Sequence, residues 1–404
     1  MPDIASGVAK RVIYKVESTW GTVPSAGSAQ YLRRVQSTLG LRKQKYESQE
    51  IRSDYQRNDM RHGVRSVEGS ISGELSAGTY KDFMAAAVRK AFAAVSAISS
   101  LSLTIAASGS NYTITRGSGS WITDGIKLAD VVRLTAGSLD ALNLNKNLVV
   151  LAETATVLTV KVLNGTAMTA EGPVASCTLS VPGKKTYVPT TSHTDLSYAI
   201  EHYFADVSLS EVYSGCKINS MDVALPPSGL ATVDFGFLGK DITTASSQYY
   251  TSPTAETSTG VLAAVNGVLA VQGAALASVT GLNFSIAGNM AAEAVVGQNT
   301  YAGITEGRVI VDGQVTALFQ DATMRDYFLN ETEVGLSVVL SASGAAAADF
   351  IAFSLPRVKF SGGAPDDGEK SLILTMPFDA LYNNAGGAAT TTEQSTLVIQ
   401  DSAA

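Results

Sequence analysis

Three histidines, two cysteines and one dense run of mixed charge are the residues of this chain with the means to do chemistry. His193 stands two residues before Asp195, and serines are abundant, as a hydrolytic triad would need. No nucleophile elbow or equivalent turn frames any serine, so His193 and Asp195 read as solvated polar residues. His202 beside Glu201 has the side chains to orient a metal, but no second ligand pair stands at helical or loop spacing. His62 lies within the charged run and reads as solvent-facing. Cys177 and Cys216 are too few for a disulfide framework, and their spacing is not that of a zinc knuckle. They read as small buried apolar residues. Neither a phosphate-cradling G-x-x-x-x-G-K-[ST] nor a strand-linked G-x-G-x-x-G occurs. Catalytic residues, metal ligands and cofactor sites are all expected to be absent.

The charged run is different in kind. Between Leu41 and Glu68 it carries seven basic residues (Arg42, Lys43, Lys45, Arg52, Arg57, Arg61, Arg65) and five acidic ones (Glu47, Glu50, Asp54, Asp59, Glu68). Interleaved signs of this density suit register-setting contact with a complementary surface, whereas a simple solvated hairpin is the blander reading.

The chain has 404 residues, enough for two or three domains, and 45% apolar residues supply sizeable cores. Only 16% of the residues are charged, below the usual quarter. The net charge of −7 disfavours a free-standing nucleic-acid binder. The N-terminus has no apolar core of the kind a signal peptide needs, and the Ala-rich stretch 261–277 is broken by Asn266, Gln272 and glycines. A soluble chain made in the cytoplasm is the expectation.

Most segments read as strand. Val12–Val16, Ser70–Leu75, Val131–Leu134, Ala231–Leu238 and Ser371–Met376 are short, rich in β-branched or aromatic residues, and bounded by turn formers. Two stretches ask to be helices. Thr79–Phe92 places Phe83, Ala86, Ala87 and Phe92 on one face, and Ala322–Asn330 carries Met324, Tyr327 and Phe328.

A shift of 244 residues aligns GVRSVEGSISGEL from Gly63 with GRVIVDGQVTALF from Gly307. Gly63, Val67, Gly69 and Asp82 then fall on Gly307, Val311, Gly313 and Asp326. Strand, Gly, alternating strand and short helix recur in one order, which predicts a tandem duplication. The charged run has no charged counterpart: 285–312 holds only Glu293, Glu306, Arg308 and Asp312. The first copy is interrupted by many short alternating segments, whose core would draw on Tyr112, Ile114, Trp121, Ile126, Val131, Leu134, Val150 and Val160. The expected division is a first unit over 1–95 and 191–243, an inserted small β-barrel over 96–190 and a connector over 244–279. A second unit over 280–383 and a C-terminal arm over 384–404, with one possible strand at Thr396–Gln400, complete it.

IYKVESTWGTVP from Ile13, followed by Gln30-Tyr-Leu-Arg-Arg34, resembles the opening of siphophage tail tube (major tail) proteins. The resemblance continues through SVEGSISGELSAGTYKDFMAAA, SWITDGIKLADVVRL, GCKINSMDVALPPSGLATVDFGFLGKD, VDGQVTALFQDATMRDYF and PRVKFSGGAPDDGEKSLILTMPFDALY. It implies a mainly β fold of sandwich units, each with a flanking helix. It further implies edge strands that pair with neighbouring subunits, and stacked rings forming a hollow tube for DNA. Its implied partners are the chain itself, the tape measure protein and DNA passing through the lumen, and the tail tip and tail terminator proteins. Neither a membrane nor specific nucleic-acid binding is implied, and the implied location is the virion tail, assembled in the bacterial host cytoplasm. In such proteins the hairpin corresponding to the charged run reaches the adjoining ring. Arg42, Lys43, Lys45, Glu47, Glu50, Arg52, Asp54, Arg57, Asp59, Arg61 and Arg65 are therefore the expected inter-ring contact. With the fold present twice, three chains would complete a pseudo-six-fold ring. The competing reading is a β-rich phage or cell-surface adhesin whose insert binds glycan or protein through Tyr112 and Trp121. Both sit in alternating strands, which favours burial.

Overall fold

The computed structural model describes residues 4–276, 278–366 and 371–404. Strand-forming side chains at alternate positions dictate the first unit. It runs β1 (Lys10–Val16), β2 (Gln30–Tyr31), β3 (Gln36–Ser37), β4 (Gly40–Glu47) and β5 (Met60–Glu74), then helix α1 (Lys81–Val88). In β5 the burial alternates through Val67 and Ile71 and continues to Leu75 just past the strand, so one face meets the core and the other carries Glu68, Ser70 and Ser72. Helix α1 is capped at its C-terminus by Arg89 in the left-handed conformation, and its face from Phe83 to Val88 is buried. Phe83 anchors it, with ring centroids 4.8 Å from Tyr14, 5.2 Å from Tyr198 and 5.4 Å from both Phe235 and Phe237.

After α1 come β6 (Ile98–Ser108), β7 (Asn111–Arg116), β8 (Val131–Ala136), β9 (Leu148–Glu153), β10 (Val157–Val162) and β11 (Glu171–Ser180). They close into a six-stranded barrel in the order β10-β7-β6-β11-β8-β9. Ile114, Trp121, Ile126, Leu134, Val150 and Val160 fill it, Tyr112 is half-buried against it, and the Trp121 indole N–H donates to the Thr156 carbonyl at 3.1 Å. Val131 turns away from the barrel interior and joins Val149 and Leu151 against Ala270, Val339, Phe350 and Ala352. Within the range expected for the insert, β12 (Lys184–Tyr187) leaves the barrel and pairs with a strand near the C-terminus.

The chain returns as β13 (Tyr198–Phe204), the long β14 (Leu209–Leu225), β15 (Thr232–Gly239) and β16 (Asp241–Ala245). The remainder is β17 (Gly267–Val271), β18 (Ala274–Ala275), β19 (Val279–Ala287), β20 (Ala291–Glu293), β21 (Gly303–Thr305) and β22 (Ile310–Leu318). Helix α2 (Thr323–Leu329), β23 (Val334–Ser341), β24 (Phe350–Phe360), β25 (Ala364–Pro365), β26 (Ile373–Ala380) and β27 (Val398–Asp401) follow. The stretch expected to be a connector thus holds β17 and β18, and the expected C-terminal arm ends in a buried strand. Ala and Gly hide β17 and β18 from a propensity reading, because tertiary pairing helps to make them extended, whereas β27 overlaps the strand expected over Thr396–Gln400.

The pairings of the first unit recur in the second. β1–β2, β1–β13, β13–β14, β14–β15, β15–β5, β5–β4 and β14–β16 have as counterparts β17–β18, β17–β23, β23–β24, β24–β26, β26–β22, β22–β19 and β24–β27. The irregularity between Tyr198 and Ile200 reappears between Val334 and Leu336. The fold is mainly β, with two helices among the described residues, and the two sets of strands share one core.

Candidate assembly surfaces

Eight strands form one continuous run, β4-β5-β15-β14-β19-β22-β26-β24, in which the antiparallel pair β14–β19 joins the two halves. Alternation sends Val67, Ile71, Val223, Phe235, Phe284, Val315 and Met376 inward to the core. The opposite face is polar and holds a groove of about 840 Å³, lined by Ser72, Asp222, Asp234, Asn283, Ser285, Asp312, Gln314 and Asp379 among others. Cross-strand register sets Asp222 directly opposite Asp234, and Asp312 directly opposite Asp379. Burial, and after it the charge of Asp222, raises the Asp234 carboxyl above the ordinary aspartate value, against a hydrogen bond from Ser70. Like charges set face to face across a sheet are unfavourable. By the same register, Glu68, Glu74, Asp222, Asp234, Asp312 and Asp379 share this face, with Arg42, Lys359 and, opposite Leu238, Lys217 among its cations. A single sequence conceals this surface, because which aspartates become neighbours depends on strand pairing.

The expected contact residues lie on the β4–β5 hairpin and its loop, which project into solvent. The hairpin neutralises much of its own charge. Arg42 meets Glu68 at 3.5 Å, Lys45 and Arg57 both hold Glu47 (2.5 and 2.9 Å), Arg52 holds Asp54 at 2.7 Å, and Arg61 holds Asp59 at 3.0 Å. Arg65 reaches Asp241 on β16 at 2.7 Å, and Glu50 accepts from the Asn58 amide at 2.9 Å. Hydrogen bonding to Lys45, with Arg57 nearby, keeps the Glu47 carboxyl below its usual range. Lys43 has no ion-pair partner among the described residues. Exposed pairs of this kind contribute little stability. What the charge pattern did not announce is the apolar tip: Ile51 and Tyr55 are 102% and 99% exposed. Beside the stem of the hairpin lies the β20–β21 loop of the second half, tied on by the Arg65 N–H donating to the Asn299 carbonyl at 2.8 Å, with Val296 fully exposed.

The titratable groups weighed for catalysis are dispersed. His62 is exposed on β5, His193 is exposed, and Asp195 pairs with Lys217 at 2.6 Å. His202 is buried against the Ser37 hydroxyl (2.8 Å) and the Tyr213 ring; burial, then Lys10 and Arg34, lowers its pKa to about 3. Glu201 points to the other face and accepts from Ser210 Oγ and from the N–H groups of Tyr249 and Tyr250. Cys177 and Cys216 are buried free thiols. Among the described residues no three His, Cys, Asp or Glu side chains converge on a possible metal site, and no helix is long and apolar enough to cross a membrane.

The barrel docks on the second half through a buried seam. Lys185 meets Asp130 at 2.6 Å with both side chains under a tenth exposed. Gln400 brackets Val131, receiving its N–H at 2.9 Å and donating to its carbonyl at 3.0 Å. A cavity of about 130 Å³ opens beside Lys127, Asp130 and Lys185. Both carboxylate oxygens of nearby Glu153 are buried without a hydrogen-bond partner, and burial pushes this carboxyl up to about 8.

Long strands joined across the two halves and charges gathered on faces define a structural β protein organised around surfaces. Residues 7–380 match the phage tail tube protein family, and the chain belongs to it. No curated protein matches the chain. Membership makes this a structural component of a bacteriophage tail, a family not normally enzymatic.

Proposed function

We propose that this chain is the subunit of a siphophage tail tube, in which three chains close each ring and the rings stack into a conduit for the genome. The observation that carries this reading is the eight-stranded run with one acidic face. Turned inward, that face would present Asp222, Asp234, Asp312 and Asp379 to the lumen. A cationic wall would hold DNA through counterion release, whereas an acidic one leaves it free to slide. Tolerating directly opposed aspartates supports a role that outweighs their local cost. The recurring pairings support two copies of one unit, so that three chains supply six. Heterologous contacts with a closing rotation generate such rings.

In this arrangement the barrel sits on the outer wall, and the tips carrying Ile51, Tyr55 and Val296 reach the adjoining ring, with Arg42 to Arg65 fixing their register. The tape measure protein fills the lumen before DNA does, and the tail tip and terminator proteins cap the ends. Assembly takes place in the host cytoplasm. Negative-stain microscopy of the purified protein across a concentration series tests this. Rings or tubes with a central hole are expected. Discrete monomers that bind a glycan or protein through the barrel would replace the proposal with an adhesin.

A further inference from the structure

The β14–β19 joint inside the chain has two counterparts without a partner among the described residues, one at β4 and one at β25, which continues β24 alongside β26. Within the joint, Ala224 faces Asn283, Val223 faces Phe284, Asp222 faces Ser285, Met221 faces Ile286 and Ser220 faces Ala287. The recurring registers identify what corresponds to each side. β19 pairs with β22 as β3 and β4 pair with β5, so Asn283, Ser285 and Ala287 correspond to Thr38, Gly40 and Arg42. The glycines agree: a Cβ at Gly313 would strike Asn283 O at 2.3 Å, and one at Gly69 would strike Thr38 O at 2.5 Å. β14 pairs with β15 as β24 and β25 pair with β26, so Ser220, Asp222 and Ala224 correspond to Gly362, Ala364 and Asp366. Among the described residues, β4 pairs only with β5, and β25 only with β26.

We infer that the two free edges join one chain to the next in the register of the internal joint, Thr38 opposite Asp366 and Arg42 opposite Gly362. This inference rests on the tube reading and specifies its ring contact. The occupant of each edge is a second copy of this chain, and the contact is head-to-tail.

Charge supports the assignment. At the internal joint Arg89, the left-handed residue closing α1, donates to the Gly288 and Gly307 carbonyls (3.0 and 2.8 Å) and pairs with Glu306 at 3.3 Å. In the second copy the left-handed residue closing the helix is Glu331, whose N–H reaches the Phe328 carbonyl as that of Arg89 reaches Ala86, and it is acidic. Across the outer joint the counterparts of Gly288, Glu306 and Gly307 are Lys43, His62 and Gly63. The signs are therefore exchanged, Arg facing Glu within the chain and Glu facing Lys and His between chains. Exchanged signs penalise pairing of like ends and keep the order of copies around the ring. Pro365 offers no N–H to the outer edge, so the inter-chain ladder is one bond shorter than the internal one. The same gap discourages indiscriminate strand addition before assembly.

The test is oxidative cross-linking of assembled protein carrying Thr38→Cys and Asp366→Cys, treated with oxidised glutathione, with microscopy of the same sample. The native thiols are buried and do not compete. Directly opposed residues sit within disulfide reach, so a ladder ending at three chains is expected. Yield should fall at least about tenfold for Gly40→Cys with Asp366→Cys, which are diagonal in this register. Glu331→Lys should reduce ring yield without lowering the monomer's melting temperature, and adding Lys43→Glu should restore it. Rings or tubes that form without the Thr38–Asp366 cross-link, or that link through the diagonal pair, would overturn the joint and leave the tube standing. Absence of rings and tubes from the unmodified chain would overturn both.

Discussion

Gly69 and Gly313 show how a pair of glycines can carry a repeat. Each lies in a strand where the neighbouring backbone approaches too closely for a Cβ, and Gly69 also has φ of +144°. Gly69→Ala should cost more than about 1 kcal/mol, because the strand must move off Thr38 and adopt a conformation that L side chains resist. Urea denaturation of the monomer measures it; an unchanged midpoint would contradict the account. Glu153 gives a pH-dependent case. Its folded pKa of about 8 lies above the ordinary glutamate value of 4.5, so the folded state binds the extra proton between those limits and stability falls as pH rises through them. Glu153→Gln removes the ionisation. Its melting temperature should exceed that of the parent by more at pH 9 than at pH 5, and an equal difference at both would show that the carboxyl is not strained.

At the scale of elements, much was legible because alternation and burial coincide. Val12–Val16, Ala231–Leu238, both helices and the filled interior of the barrel follow from where apolar residues stand. The unread parts have a common cause. β17 and β18 are extended because β17 lies between β23 and β18, and their Ala and Gly residues say nothing of that; the strand expected over Thr396–Gln400 overlaps β27, but its partners β24 and β12 could not be read. The ungapped alignment set Asp82 on Asp326, yet at the helix start the Met84 N–H reaches the Tyr80 carbonyl as that of Asp326 reaches Ala322. The turn before α2 is two residues shorter, which a rigid offset cannot register. The insert shows the same limit, since β12 lies inside the range 96–190 but pairs with β27. Deleting 96–182 behind a short Gly-Ser bridge should therefore leave folded, assembly-competent protein of reduced solubility, as Phe350 and Val339 lose their cover. Deleting 96–190 should lose soluble protein, because β27 loses a partner. Comparing soluble yield and tube formation for the two deletions checks this; equal behaviour would place β12 outside the tube body.

The candidate site was least legible at the scale of the whole molecule. The charge run of the first hairpin was visible in the sequence, but its internal pairing, its apolar tip and the acidic face are products of register. These features suit one arrangement: two copies side by side, their eight strands continuous, acid toward the bore, hairpins along the axis and the barrel outside. Image reconstruction of the native tail at side-chain resolution tests that arrangement most directly. The account predicts three chains per ring, both copies contributing strands to the wall of the bore, and Asp222, Asp234, Asp312 and Asp379 facing the lumen. Six chains per ring, or a second copy lying outside the wall, would contradict it.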